Sequence, residues 1–430
     1  MRIVTLDKES RQELLVKLLK RSPSQYTEYE QKVAEIVDAV KEQKDKALFE
    51  FTAKFDKCEL NASNIEVSEE EFKEAYDTID PELIGTIRRS AENIRRFHEK
   101  QLRKSWFDTQ EDGSFLGQKI TAIENVGVYV PGGSAALASS VLMNIIPAKV
   151  AGVSNIIMCT PPQSNGKIYN ATLVAAREAG VDRVFKVGGA QAIAALAFGT
   201  ESVPKVDKVV GPGNIYVALA KKRVYGNVGI DSIAGPSEIL VLADETANPR
   251  FVAADLLSQA EHDALASAIL ITTSRELAQK VDLEVKAFTE KLERREIIEK
   301  SLENYGFIMI ADNMEDAIDA VNEIASEHLE VLTADPFLTL TKIRNAGAIF
   351  LGQYSSEPLG DYFAGPNHIL PTNGTALFFS PLSVDDFIKK SSVICYSREA
   401  LEAVHVDIER FAKAEGLTAH ANSVAVRFEE

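Results

Sequence analysis

Cysteine is scarce: the chain holds only Cys58, Cys159 and Cys395, far apart and without a Cys-x-x-Cys pair. A disulfide framework is therefore not expected, and a reducing cytoplasm is the setting predicted. Long apolar runs are missing too. The longest stretch, 141–159, is interrupted by Pro147, Lys149 and Gly152, so nothing reaches the roughly 18 apolar residues of a membrane helix. The opening residues carry no apolar signal-peptide core. Positive charge is the minority, with 47 Lys and Arg against 64 Asp and Glu and a net charge of −17. That balance argues against nucleic acid as a partner, which needs clustered basic residues, and favours solubility. No Gly-x-Gly-x-x-Gly occurs, so any NAD site must depart from the usual dinucleotide fingerprint.

What is present suits a large α/β protein. The 430 residues, 45% of them hydrophobic, are too many for one ordinary core. Residues 1 to about 110 read as helical. Val33, Ile36, Val37 and Val40 form one apolar stripe, and Leu83, Ile84, Ile87 and Ile94 a second. His98 is read as a surface residue of that second helix, and Cys58 as part of an exposed acidic segment. From about 120 the texture changes. Short apolar runs at 126–130, 155–159, 184–187, 208–210, 238–242, 268–272, 307–311 and 348–351 alternate with helical patterns at 171–179, 213–224, 250–262 and 314–325. This rhythm predicts parallel α/β sheets in two units. The second unit spans about 126–237, which leaves the first discontinuous, and the tail from about 382 forms a separate module.

Glycine-rich turns cluster in 127–236, at Gly127 and Gly132-Gly133, Gly188-Gly189, Gly211-Pro212-Gly213-Asn214 and Gly235-Pro236-Ser237. Each alone reads as a tight turn. Four in one unit, at predicted strand ends, mark where an open α/β sheet takes a ligand, and Gly213-Asn214 precedes a helix whose N-terminus suits phosphate. Gln259 and His262 lie three apart at a helix end, hence on one face. A carboxamide oxygen and an imidazole can share a divalent ion, given partners elsewhere. Asp361 and His420, both in polar, turn-like surroundings, are candidates. Glu327 and His328 are adjacent. Imidazole has the unperturbed pKa best matched to proton transfer near neutrality, and Glu327 could orient it or activate water. On a regular strand the two would face opposite ways, so they are expected on a loop or helix end. His405 reads as structural or exposed. No cysteine has a catalytic setting, which disfavours a thiohemiacetal route to an oxidised aldehyde.

Taken in order, these segments resemble the histidinol dehydrogenase family over nearly the whole chain. The blocks are Val128-Tyr129-Val130-Pro131-Gly132-Gly133, Val187-Gly188-Gly189-Ala190-Gln191, Val210-Gly211-Pro212-Gly213-Asn214, Gly235-Pro236-Ser237-Glu238, Ser258-Gln259-Ala260-Glu261-His262-Asp263, Ser326-Glu327-His328-Leu329, Gly360-Asp361-Tyr362 with Gly365-Pro366-Asn367-His368, and Glu415-Gly416-Leu417 with His420-Ala421. The resemblance implies NAD-dependent, four-electron oxidation of L-histidinol to L-histidine through L-histidinal, the last two steps of histidine biosynthesis. It implies Zn²⁺ on Gln259, His262, Asp361 and His420, and NAD at Tyr129, Gln191 and Asn214. Substrate would meet Ser237, His328 and Glu415 together with the metal ligands, and Glu327 and His328 would carry protons. His368 fits the pattern without an implied role. The implied fold is α/β with two incomplete Rossmann-like domains. It has an N-terminal helical arm (1–25), a first domain (26–125 with 238–381), an NAD-binding second domain (126–237) and a C-terminal module (382–430). That module would complete the partner's site in an intertwined homodimer. Two other readings fit the residues: a family member acting on another small amino alcohol or a sulfonated diol, and a metal- or solute-binding protein on the same framework.

Overall fold

The computed structural model of the chain describes residues 1–19, 21, 27–132 and 136–429. Gly133 and positions 20 and 22–25 of the N-terminal arm lie outside the described residues. In chain order the strands are β1 (Arg2–Thr5), β2 (Trp106–Thr109), β3 (Phe115–Ala122), β4 (Asn125–Tyr129), β5 (Asn155–Cys159), β6 (Arg183–Phe185), β7 (Lys208–Val210), β8 (Gly229–Ile230), β9 (Glu238–Ala243), β10 (Ser267–Thr272), β11 (Gly306–Ile310), β12 (His328–Leu332), β13 (Ala348–Leu351) and β14 (Ile388–Cys395). The chain divides into one unit of 1–101 with 123–387 and a second of 102–122 with 388–430.

The first unit carries two parallel sheets. One runs β1-β11-β10-β9-β12-β13 and the other β6-β5-β4-β7-β8. A parallel sheet is covered on both faces, so its central strands read as unbroken apolar runs, and β9 is buried at every residue. Its side chains alternate between two cores. Ile239, Val241 and Ala243 meet the helices Pro249–Ala260, Arg275–Thr289 and Arg295–Tyr305. Leu240 and Leu242 meet Leu14 and Leu18 of the helix Lys8–Leu19 and Ile318 and Val321 of the helix Met314–Ile324. In the second sheet Val126 and Val128 pack with Ile87 and Ile94. Tyr129 and Cys159 turn to the other side, where Val33, Val37 and Val40 of the helix Thr27–Gln43 cover them.

Several expectations change. The N-terminal arm is not wholly helical, because Arg2–Thr5 pairs in parallel with β11 at the edge of the six-stranded sheet. The helices of 27–99 cover the five-stranded sheet, and they fall in one compact unit with both parallel sheets. An amphipathic stripe reports that one face is buried, not which sheet buries it. Residues 102–122, read with the first domain, supply β2 and β3 of the second unit, where β3 pairs antiparallel with both β2 and β14. His98 is buried, not on the surface. Its Nδ1 meets the Ile94 carbonyl of its own helix at 2.8 Å, which satisfies the ring locally and makes its burial inexpensive. Cys58 is buried as well. Among the described residues no helix is long and apolar enough to cross a membrane.

One turn shows how tightly the second sheet is closed. Gly211, after β7, has φ +119°, and a Cβ there would lie 2.0 Å from the Tyr129 carbonyl oxygen. Gly188 faces Pro161, whose Cβ would be 2.5 Å away. Internal crowding alone thus requires these glycines, without any ligand. Gly211→Ala is expected to lower stability by at least about 1–3 kcal/mol, the usual cost of such backbone strain. Denaturant unfolding checks this, and an unchanged midpoint would contradict the crowding.

Candidate active site

Two edges of the sheets carry the candidate residues. At the C-terminal edge of the five-stranded sheet, Tyr129 ends β4, Gln191 lies in the first turn of the helix Gly189–Phe198 after β6, and Asn214 caps the helix Ile215–Val224 after β7. The Tyr129 hydroxyl accepts from Gly189 N–H at 3.1 Å. Gln191 Nε2 stands 3.5 Å from the Asp56 carboxylate, whose pKa burial pushes up to about 6. Asn214 spends its side-chain oxygen on the N–H groups of Tyr216 and Val217. Strand ends, a fresh helix N-terminus and a buried amide suit the phosphates and ribose of a dinucleotide. These three residues therefore fit NAD without the usual fingerprint.

Glu327 and His328 sit at the other kind of edge, the N-terminal end of β12, which lies between β9 and the edge strand β13 of the six-stranded sheet. Ala325 closes the preceding helix in the left-handed region, φ 49°, a conformation that costs a non-glycine residue about 1–2 kcal/mol. The chain then turns directly into the strand. Glu327 Oε2 accepts from Glu238 N–H at 2.9 Å, and His328 Nδ1 lies 2.9 Å from the Glu238 carbonyl. A carbonyl only accepts, so the neutral ring carries its proton on Nδ1 and keeps a lone pair on Nε2. Nε2 is buried and has no hydrogen-bond partner among the described residues. Adjacent strand residues ordinarily diverge. Here both side chains converge on the backbone of one residue of the neighbouring strand, Glu238, with Nδ1 and Oε2 3.7 Å apart.

Asp361 faces them from a π-helical turn, Gly360–Ala364, that follows the short helix Glu357–Leu359. Such turns often mark functional positions. Its carboxylate is 3.8 Å from His328 Nε2 and 3.7 Å from His368 Nδ1. His368 also reaches the Asp361 carbonyl at 3.1 Å and Ser140 Oγ at 3.3 Å, tying the turn to the helix Ala138–Ala151 of the other sheet. Burial raises Glu327 to about 8. For His328 burial pulls the pKa down, but the Glu327 and Asp361 carboxylates outweigh it and carry it up to about 10. Asp361 is buried, yet the His328 and His368 rings hold it below the ordinary carboxylate range.

Sequence reading missed Glu357. Its carboxylate gathers with His328 and Asp361, one donor atom from each lying within 4.8 Å of the others, and it accepts from Ser258 Oγ at 2.9 Å. The available signal was its place four residues before Asp361. Gln259 ends the helix Pro249–Ala260 beside Ser258. It is 1% exposed, and its Oε1 has no partner among the described residues. His262 lies two residues past the helix, its N–H bonded to the Gln259 carbonyl at 3.2 Å, and it feels the charges of Asp361 and His328. Ser237 directly precedes Glu238 and is partly buried. Glu415 and His420 belong to the second unit, at the end of the helix Arg398–Ala414 and within the helix Thr418–Ala425, and both are exposed. An unpartnered carboxamide oxygen, an imidazole and a charged carboxylate form a donor set that fits a borderline divalent ion such as Zn²⁺.

Fold and site define an α/β enzyme in which a buried carboxylate–imidazole pair adjoins a nitrogen- and oxygen-rich cradle. The profile of histidinol dehydrogenase matches residues 19–428, and the chain belongs to the histidinol dehydrogenase family. It is 58% identical over 393 residues to the histidinol dehydrogenase of Clostridium acetobutylicum, covering 91% of both chains. It is 56% identical over 413 residues to that of Halalkalibacterium halodurans, covering 96% of this chain and 97% of the relative. The crystal structure of histidinol dehydrogenase from Elizabethkingia anophelis superposes with a TM-score of 0.93 at 40% identity, covering 99% of this chain and 98% of that one.

The unpartnered Gln259 oxygen makes a sharp test. An unsatisfied buried polar group costs about 1–3 kcal/mol, so Gln259→Leu should leave the metal-free protein no less stable while abolishing tight Zn²⁺ binding. Thermal unfolding in chelator and calorimetric titration with Zn²⁺ measure the two arms. A destabilised metal-free variant, or unchanged Zn²⁺ affinity, would refute the assignment.

Proposed function

We propose that the chain oxidises L-histidinol to L-histidine through L-histidinal, the last two steps of L-histidine biosynthesis, as a zinc-requiring, NAD-dependent enzyme. The observation that carries this reading is the His328 ring, fixed through Nδ1 on the Glu238 carbonyl, with Nε2 unpartnered among the described residues and 3.8 Å from the Asp361 carboxylate, so that the neutral ring holds its lone pair there. A base must meet its proton with a lone pair at a defined place, and this geometry supplies one.

In the first oxidation His328 Nε2 takes the hydroxyl proton of the alcohol as hydride leaves the same carbon, yielding the aldehyde. Glu327 then helps a water add to the aldehyde, and His328 takes the hydroxyl proton of the hydrate as the second hydride departs, yielding the carboxylic acid. Glu327 suits the hydration step because burial leaves it able to hold or release a proton near neutrality. NAD⁺ at Tyr129, Gln191 and Asn214 would supply the hydride acceptor for both oxidations. A Zn²⁺ ion on Gln259, His262, Asp361 and His420 would orient the substrate and, by neutralising the Asp361 charge, release His328 from the cationic form that this carboxylate favours. Ser237 and Glu415 contact the substrate in this reading. Because Glu415 and His420 lie in the second unit, we assign them to the site of a second copy in a homodimer. We place the enzyme in the cytoplasm.

The test is NADH formation from L-histidinol with and without chelator. Two NADH per histidinol are expected, with loss on chelation. His328→Asn should lower turnover by about 10²–10⁴-fold, the range of a general base, with Zn²⁺ retained. Glu327→Gln should impair oxidation of histidinal more than that of histidinol. One NADH per substrate, turnover on a diol but not on histidinol, or equal losses in the two steps for Glu327→Gln would each overturn the corresponding part.

A further inference from the structure

The backbone N–H and carbonyl that orient Glu327 and His328 both belong to Glu238, and the Glu238 side chain is buried in the protein. It is 2% exposed. Its Oε1 pairs with the guanidinium of Arg21, whose side chain is fully buried. Oε2 accepts from Asn373 N–H at 3.2 Å. Arg21 is itself anchored, donating from Nη1 to the Leu265 carbonyl at 2.7 Å and stacking over the Tyr305 ring at 5.0 Å. The neighbouring Thr372 Oγ1 accepts from Gly235 N–H at 2.7 Å, and a Cβ on Gly235 would collide with Asn373. The segment leading into β9 is therefore held from two sides.

We infer that Arg21 is a positioning residue for the reaction: by clamping the buried Glu238 carboxylate, it fixes the Glu238 backbone that aims Glu327 and His328. This rests on the reading of those two residues as the proton carriers. The physical case is one of leverage. The N–H of Glu238 donates to a carboxylate and its carbonyl meets an imidazole, so a change in φ or ψ at this residue turns one of those groups relative to the other. The freedom of the residue is limited by its own buried side chain. Arg21 is the only cation bonded to that carboxylate among the described residues. Without it, the buried carboxylate must protonate or swing toward solvent, and either change moves the Glu238 backbone. A planar guanidinium that bonds Glu238 and Leu265 at once also sets direction, which a point charge does less well.

The test uses the zinc-loaded enzyme. For Arg21→Met, kcat should fall by about 10- to 100-fold, the scale of a misplacement near 1 Å, while KM for histidinol and zinc content stay within about twofold of the parent on the same argument. Arg21→Lys should recover part of kcat. The double variant Arg21→Met with Glu238→Gln removes the unpaired buried charge, so its unfolding midpoint should return toward that of the parent while kcat stays low. That double variant replaces Arg21→Met if the single one does not fold. Parent kcat in either variant, or kcat and stability recovering together, would overturn the inference. His328→Asn run alongside separates the two claims. If it keeps its turnover, the proton-carrier reading fails. If it is inactive while the Arg21 variants work at the parent rate, only the positioning role fails.

Discussion

The arrangement depends on the two backbone polar groups of one residue. Glu238 begins β9, between β10 and β12. Its N–H holds the Glu327 carboxylate and its carbonyl holds His328 Nδ1. In many hydrolases a carboxylate selects the tautomer of the working histidine. Here a backbone carbonyl selects it, which leaves the neighbouring carboxylate, Glu327, available for a task of its own. A backbone acceptor cannot ionise, so the bond persists whatever the protonation state of the cluster.

The two sheets contribute opposite edges. The residues suited to a dinucleotide stand at the C-terminal ends of β4, β6 and β7, where open parallel sheets ordinarily take ligands. Glu327 and His328 stand at the N-terminal end of β12. Residues 361–368 join them, since Asp361 faces His328 while His368 and Asn367 bond to Ser140 and to the Met143 carbonyl of the helix after β4. A shift of one sheet against the other would be felt by Asp361 first.

Much of this was legible in the sequence. Runs at 155–159 and 208–210 became strands with the same bounds, because interior parallel strands leave an uninterrupted apolar signature; the run at 348–351 matched too, although it forms the partly exposed edge strand β13. β12 escaped because its buried residues include His328 and Glu330, whose polarity breaks the run. Of β14 only the run at Cys395 read as strand-like, because Lys389, Lys390, Ser391 and Ser392 give the rest of this largely exposed strand no apolar signature. Gln259 and His262 were readable as a pair because helical spacing is local. The role of the Glu238 backbone was not readable: its partners lie 89 and 90 residues away and bond to backbone atoms, which no side-chain pattern encodes. Arg21 pairs with a carboxylate 217 residues away, a separation that no local pattern reports. The sheet that receives an amphipathic helix is likewise a tertiary choice, so the stripes of 27–99 did not show that they cover the five-stranded sheet.

The most direct test of the central claim is the protonation of the His328 ring. A ¹H–¹⁵N correlation spectrum of the zinc-loaded protein with labelled histidine, assigned by loss of the signal in His328→Asn, reports which nitrogen bears hydrogen in the neutral ring. The account predicts hydrogen on Nδ1 and a bare Nε2. Hydrogen on Nε2 with a bare Nδ1 would contradict it.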